Sequence, residues 1–281
     1  MDKPNNNLFN KIMVRAPYNI LNIVSGSNND YLLAHVSNDY LHRSESGPIG
    51  IGEAGRHAAI LGSMHIAREL NTESSYYLAT HGELKRVSDV IHDYKDIYIR
   101  TRIADIGKRS AKIKADVLDC NDTTIYQIDV EYIIIRYDVF DKIYKNKKVD
   151  KLERHGTPYA ERKSINLVKL DNRYRAYYGE IEHFECLGHF DNYPCFPVAI
   201  SADHYTQGAI EIFKDIYPDY RKNNFIAKHM NIDAFKLIHA GSEMFYDFTL
   251  ENSDYNNFIV KGICIVHDEL AQKCKILISC S

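Results

Sequence analysis

Gly188-His189-Phe190, Pro194, Pro197, Asp203 and Gln207 bring a histidine, two prolines, a carboxylate and an amide into one short run. Histidine titrates near neutral pH and can take or give a proton under working conditions. Asp203 follows His189 by fourteen positions and becomes a second proton-transfer group when its surroundings adjust its pKa. A positioned histidine and acid are the usual means of general acid–base catalysis. The same residues also have a structural reading, as a buried histidine with its hydrogen bonds met and a carboxylate favoured by a helix N-terminus. A second group lies in the first half, where Glu53 and His57 follow the glycine-rich approach Ser46-Gly47-Pro48-Ile49-Gly50-Ile51-Gly52. Those glycines permit close backbone approach to a ligand. The six cysteines (Cys120, Cys186, Cys195, Cys264, Cys274 and Cys280) form no C-x-x-C pair and stand at no zinc-ligand spacing with histidine. No metal and no other cofactor is expected.

The elements that must hold these residues can be read from hydrophobic periodicity. Ile97, Ile99, Thr101 and Ile103 alternate with Tyr98, Arg100 and Arg102. After a turn at Asp105-Ile106-Gly107-Lys108, Ala111, Ile113, Ala115 and Val117 alternate with polar residues, and Ile128, Val130, Tyr132 and Ile134 do so after Asn121-Asp122. Period-2 alternation between polar turns predicts antiparallel strands with one buried face. The C-terminal half repeats the pattern at Met244–Leu250, Ile259–Val266 and Cys274–Cys280. Ahead of each strand set lies a helix candidate rich in small residues, one over about 50–70 and one over about 198–216. A helix wrapped by a curved sheet needs small residues, because large ones would hold it off the strands.

The chain therefore reads as two similar halves, 1–145 and 171–281, joined by a linker over 146–170. Lys142, Lys145, Lys147, Lys148, Lys151 and Arg154, followed by Gly156 and Pro158, mark the join as a solvated stretch. A second reading of the lysines is a landing patch for an acidic carrier protein. With 281 residues, the chain suffices for two domains of roughly 140 residues each. The net charge of −3 gives no drive toward nucleic acid or an anionic membrane. No apolar run approaches the length of a membrane span, and the polar start Met1-Asp2-Lys3-Pro4 lacks the apolar core of a signal peptide. A cytoplasmic protein with reduced thiols is expected.

The segment from Gly188 to Gln207 resembles the signature of bacterial 3-hydroxyacyl-[acyl-carrier-protein] dehydratases. In that family Gly-His-Phe leads into two prolines, then a buried helix with Glu or Asp fourteen positions after the histidine, then Gln. Ala234-Phe235-Lys236-Leu237-Ile238-His239-Ala240-Gly241-Ser242 also sits where the family has a Phe-basic stretch leading to Pro-Gly-Asp. The likeness covers roughly 175–281. It implies an α+β, double-hotdog architecture: two repeats of a long central helix wrapped by a curved antiparallel sheet. The chain departs from the pattern at Asp191-Asn192, where the family has Pro-Gly, and at Val198, where it has Gly. A β-branched Val198 restricts close approach of a thioester.

The resemblance implies that His189 is the base, that Glu53 or Asp203 is an acid kept protonated by burial, and that the amides of Val198 and Ala199 hold the thioester oxygen. Aligning Ala58-Ala59-Ile60 with Gly208-Ala209-Ile210 places Glu53 on Asp203 and His57 on Gln207. The catalytic-histidine position of the first half then falls near Asp39 or Tyr40, beside His42, with no histidine at the aligned position. His189 is expected to work with Glu53 across the halves, and Asp203 to face the Tyr40/His42 region. Tyr40 and His57 join Val198 and Ala199 as candidate substrate-binding residues. The implied activity is dehydration of a 3-hydroxyacyl thioester carried by acyl carrier protein or coenzyme A, in fatty-acid or polyketide-type biosynthesis, by a homodimer. The alternatives are a thioesterase or an acyltransferase/decarboxylase on the same scaffold, or a non-catalytic module that binds acyl chains or the carrier protein.

Overall fold

A computed structural model of the chain describes residues 6–24, 30–37, 44–71, 73–89, 91, 96–149, 156–190, 192–220, 224–254 and 256–280. The first half contains α1 (Asn6–Lys11), β1 (Asn22–Ile23), β2 (Leu32–Val36), α2 (Ile51–Leu70), β3 (Ser75–Arg86), β4 (Ile97–Ile106), β5 (Ser110–Leu118), β6 (Thr124–Arg136) and α3 (Tyr137–Ile143). The second contains β7 (Leu167–Leu170), β8 (Arg173–Glu180), α4 (Val198–Ile216), β9 (Phe225–Ala234), β10 (Glu243–Ser253), β11 (Asn257–Val266) and β12 (Glu269–Cys280). The strands form one antiparallel sheet in the order β1-β2-β4-β5-β6-β3-β9-β12-β11-β10-β8-β7. Read inward from either edge, the two six-strand series match strand for strand, and each long helix falls at the same point of its series. They meet at β3 and β9, where Gly82 lies opposite Ile232 and Leu84 opposite Met230.

Both long helices are buried far beyond a single stripe. Fifteen of the twenty residues of α2 are buried, so the sheet wraps most of its circumference. Small residues make this possible. A Cβ at Gly62 would collide with the Tyr132 hydroxyl and Ile113, and one at Gly208 with the Phe248 ring. Gly52 lets α2 approach α4, because a side chain there would collide with the Asp203 carboxylate and the Ala199 carbonyl. The predicted helices form at the expected places, and the strands predicted at 97–103, 111–117, 128–134, 244–250, 259–266 and 274–280 fall within β4–β6 and β10–β12. The six cysteines are free thiols, five of them buried. Among the described residues no helix is long and apolar enough to cross a membrane.

The stretch expected to join the halves has two characters. Lys142, Lys145, Lys147 and Lys148 are exposed on α3 and the 3-10 turn after it, as a solvated stretch requires. Lys151 and Arg154 lie outside the described residues. From Tyr159 onward single side chains turn inward: Tyr159 and Ile165 are buried and the Arg162 side chain is 2% exposed, while Glu161, Lys163, Ser164 and Asn166 between and after them face solvent. Through these anchors the segment lies along α4, which sets the geometry of the site.

Candidate active site

The loop before α4 is shaped by Gly188, whose φ of +78° favours glycine and where a Cβ would collide with the Arg15 carbonyl. Residues 14–18 of the first half consequently lie directly on this loop. The Arg15 N–H donates to the Gly188 carbonyl (2.8 Å), and Val14 and His189 form an isolated antiparallel bridge. His189 is half-buried, with Nδ1 2.7 Å from the Cys195 carbonyl. A carbonyl only accepts, so Nδ1 carries the hydrogen and Nε2 keeps its lone pair. No hydrogen-bond partner meets Nε2 among the described residues. The ring stacks on Phe190 (4.2 Å) and takes the edge of Tyr18 (4.9 Å). Burial lowers its pKa to about 4, against the Cys195 carbonyl and with help from the Arg56 charge. His189 is therefore a neutral imidazole at physiological pH.

His189 lines an apolar cavity together with Val198 and Ala199 of α4, Gly52 and Gly55 of α2, and Tyr132 of β6. Pro197 precedes α4 in an extended conformation, and no side chain caps the helix. The amides of Val198 and Ala199 are among the helix-start donors that α-helical bonding leaves unmet. One wall of the cavity thus presents a base, and another an anion-favouring helix end.

The carboxylates occupy a charged layer just behind the cavity wall, with the Asp203 carboxylate packed against Gly52. Glu53 is fully buried, with Arg56 Nη1 at 3.1 Å, His57 Nε2 at 3.3 Å and Arg162 Nη2 on its other oxygen. Burial alone would raise its pKa, but Arg56 and Arg162, aided by His57, hold it well below the usual carboxylate range. Glu53 is therefore charged, contrary to the expectation that burial keeps it protonated, because two guanidinium groups are buried with it. Arg56 is itself fixed by the Tyr18 and Pro17 carbonyls and sandwiched by the Tyr18 and Tyr159 rings, at 4.8 and 4.7 Å. Asp203 pairs with Nη1 of Arg162, so one guanidinium joins the carboxylates of the two helices.

The expected cross-half contact between His189 and Glu53 is indirect. Tyr18 touches His189, Arg56 packs on Tyr18, and Arg56 binds Glu53. His57, expected to bind substrate, is instead buried against Glu53, away from the cavity wall. Tyr40 and His42 lie outside the described residues, so the partner expected for Asp203 does too. Gln207 binds the backbone of the connecting segment, accepting from Ile165 N–H (3.1 Å) and donating to its carbonyl (3.3 Å). Among the described residues no three His, Cys, Asp or Glu side chains converge as metal ligands.

Sequence reading missed Arg162, Arg56 and Tyr18. Arg56 carried a detectable signal, since it lies three residues from Glu53 on the same helix. Arg162 carried none, being one charged residue in an aperiodic connector.

No protein-family model and no curated protein matches this sequence. Solved structures do match its fold. A structure described as an oleoyl thioesterase of Lactobacillus plantarum superposes with a TM-score of 0.61 at 12% identity, covering 92% of this chain and 99% of that one. An acyl-ACP thioesterase of Bacteroides thetaiotaomicron gives 0.53 at 12% identity, covering 89% and 98%. A hot dog fold protein of Alicyclobacillus acidocaldarius gives 0.57 at 9% identity, covering 97% of each. The chain has a hotdog fold, and at such identities the likeness extends to the fold alone.

Proposed function

We propose that this protein hydrolyses acyl thioesters, with coenzyme A or acyl carrier protein as the carrier. The observation that carries the reading is His189, a neutral imidazole with Nε2 free in an apolar cavity at the uncapped start of α4. In this mechanism the thioester carbonyl points at the Val198 and Ala199 amides, and the acyl chain enters the cavity. His189 Nε2 takes a proton from water as the water oxygen attacks the carbonyl carbon. The developing oxyanion is met by the helix-start amides. When the C–S bond breaks, the proton passes from His189 to the departing thiolate, leaving an acid and a free thiol. The neighbours described as thioesterases support this choice. So does Glu53, whose ion pairs leave it no proton to donate. On this reading the chain is a double hotdog, with repeats over 1–145 and 171–281.

Dehydration of a 3-hydroxyacyl thioester is the second reading. It is favoured by the spacing of Gly188-His189-Phe190, Pro194, Pro197 and Asp203, since the same Nε2 could take an α-proton. One assay separates the two. A long-chain acyl-CoA and a 3-hydroxyacyl-CoA are each incubated with the protein, and free thiol and 2-enoyl absorbance are followed together. Hydrolysis predicts thiol release from both without enoyl product. Enoyl product without thiol would transfer the assignment to dehydration, and no turnover of either would sink both readings.

A further inference from the structure

The segment between the halves places Arg162 in a position that a connector does not require. Its guanidinium reaches Glu53 on α2 with Nη2 and Asp203 on α4 with Nη1. All three side chains are at least nine-tenths buried. The backbone around Arg162 is clamped at successive points. Arg162 Nε donates to the Tyr159 carbonyl (3.1 Å), and the Tyr159 hydroxyl donates to that of Leu187 (2.7 Å). The Lys163 carbonyl accepts from His204 Nε2 (3.0 Å), and Gln207 makes both of its bonds to Ile165. Two polar residues of α4 therefore serve to hold this segment in place.

We propose that Arg162 is a positioning residue that ties the carboxylates of the two helices together as anions, denies the cavity an acid, and so directs the thioester to hydrolysis rather than dehydration. This rests on the hydrolytic reading above. Two carboxylates buried near each other without a cation would repel, and one would take up a proton. A planar guanidinium can satisfy one carboxylate with each prong. The charged groups facing Glu53 are Arg56 and His57 from its own helix and Arg162 from the connector, with Asp203 of α4 beyond Arg162. The Tyr18 hydroxyl is also near enough to feel its charge.

The proton balance then decides the product. In dehydration His189 takes the α-proton, the β C–O bond breaks, and the hydroxyl needs a donated proton to leave as water. Carboxylates held in ion pairs have none to give. Hydrolysis asks for no such donor, because the proton taken from water goes through His189 to the thiolate.

The test compares Arg162→Gln and Arg162→Lys with wild type. Carboxyl carbons are titrated by NMR in protein labelled at the glutamate side chains, with Glu53→Gln assigning the resonance. Arg162→Gln should raise the Glu53 midpoint by about one unit or more, and Arg162→Lys should leave it near the wild-type position. An unmoved Glu53 in Arg162→Gln overturns the proposal. The titration needs no turnover, so it judges Arg162 even in a protein that releases no thiol. With a 3-hydroxyacyl-CoA, enoyl product, absent with wild type, should appear in Arg162→Gln and be absent again in Arg162→Lys. A raised Glu53 midpoint with no enoyl product from Arg162→Gln overturns the link to reaction choice, as does enoyl product from wild type. If Arg162→Gln does not fold, Arg162→Met, which keeps an apolar stem of similar reach without the charge and leaves both carboxylates in place, is read with the same outcomes.

Discussion

At the start of α2 the Ile51 N–H donates to the Glu45 carboxylate at 2.6 Å, whereas no side chain caps the start of α4, which opens on the cavity beside His189. The two helices hold matching places in the sheet order, and each end attracts an anion through its unmet amides and dipole. α2 fills its own end. Glu45 is buried, the Ser46 carbonyl accepts from Arg86 (3.0 Å), and the Ile49 carbonyl accepts from the Tyr126 hydroxyl (3.2 Å). Arg86 also packs where a side chain on Gly47 would stand. At the start of α2 the chain itself thus meets the Ile51 amide, and under the proposed hydrolysis the amides at the start of α4 are left for a thioester oxygen. On that proposal, a scaffold with matching halves keeps one end for stability and the other for chemistry.

Removing His189 tests that contrast most severely. His189→Ala should lower the rate of thiol release by about 10²–10⁴-fold while leaving the circular dichroism spectrum unchanged. The pH profile gives an independent check. A base works with its lone pair free, and the His189 pKa is lowered to about 4 by burial, the Cys195 carbonyl opposing and Arg56 assisting. Thiol release should therefore stay level from neutral pH to about 5 and fall as the pH drops through about 4. A fall centred near the ordinary histidine value would show that a different group, or a solvated His189, is the base.

Glu45→Gln addresses the closed end. Losing the charge that meets the α2 amides should cost about 0.5–2 kcal/mol, read as a lower urea midpoint at unchanged slope. Thiol release at 25 °C should not change, since Glu45 lies outside the cavity wall. A large loss of rate with full stability would mean that the α2 end is also a working site.

The parts of this contrast were unequally legible in sequence. Both helices were visible because small residues and flanking Gly or Pro punctuate them, and strands β4–β6 and β10–β12 because they alternate cleanly. The central strands β3 and β9 were not. Tyr76 and Tyr77 are consecutive and both buried, as are Phe225, Ile226 and Ala227, and a bulge at Ala79/His81 breaks the period. Strands where two halves meet bury parts of both faces, which erases the alternation that reveals a strand. His189, Val198 and Ala199 were legible because one contiguous motif carries them. Arg162 meets Glu53 across 109 positions of chain, and no spacing rule connects a loop arginine to a helix glutamate at that distance.

Val198→Gly should have the smallest effect and would sharpen the account of the open end. Val198 is the first residue of α4, lines the cavity and is partly buried. If the thioester oxygen sits against its amide, the two methyl groups hold the substrate back, and glycine should lower KM by about two- to fivefold with little change in kcat, a gain of under about 1 kcal/mol. The same change releases backbone freedom at a helix start, with an expected cost of about 0.5–1 kcal/mol in stability. Opposite signs in binding and stability are what a helix end used for ligand contact requires. A rise in KM would show that the valine packs against the acyl chain, which would place the thioester carbonyl elsewhere and leave the amides at 198 and 199 without a catalytic part.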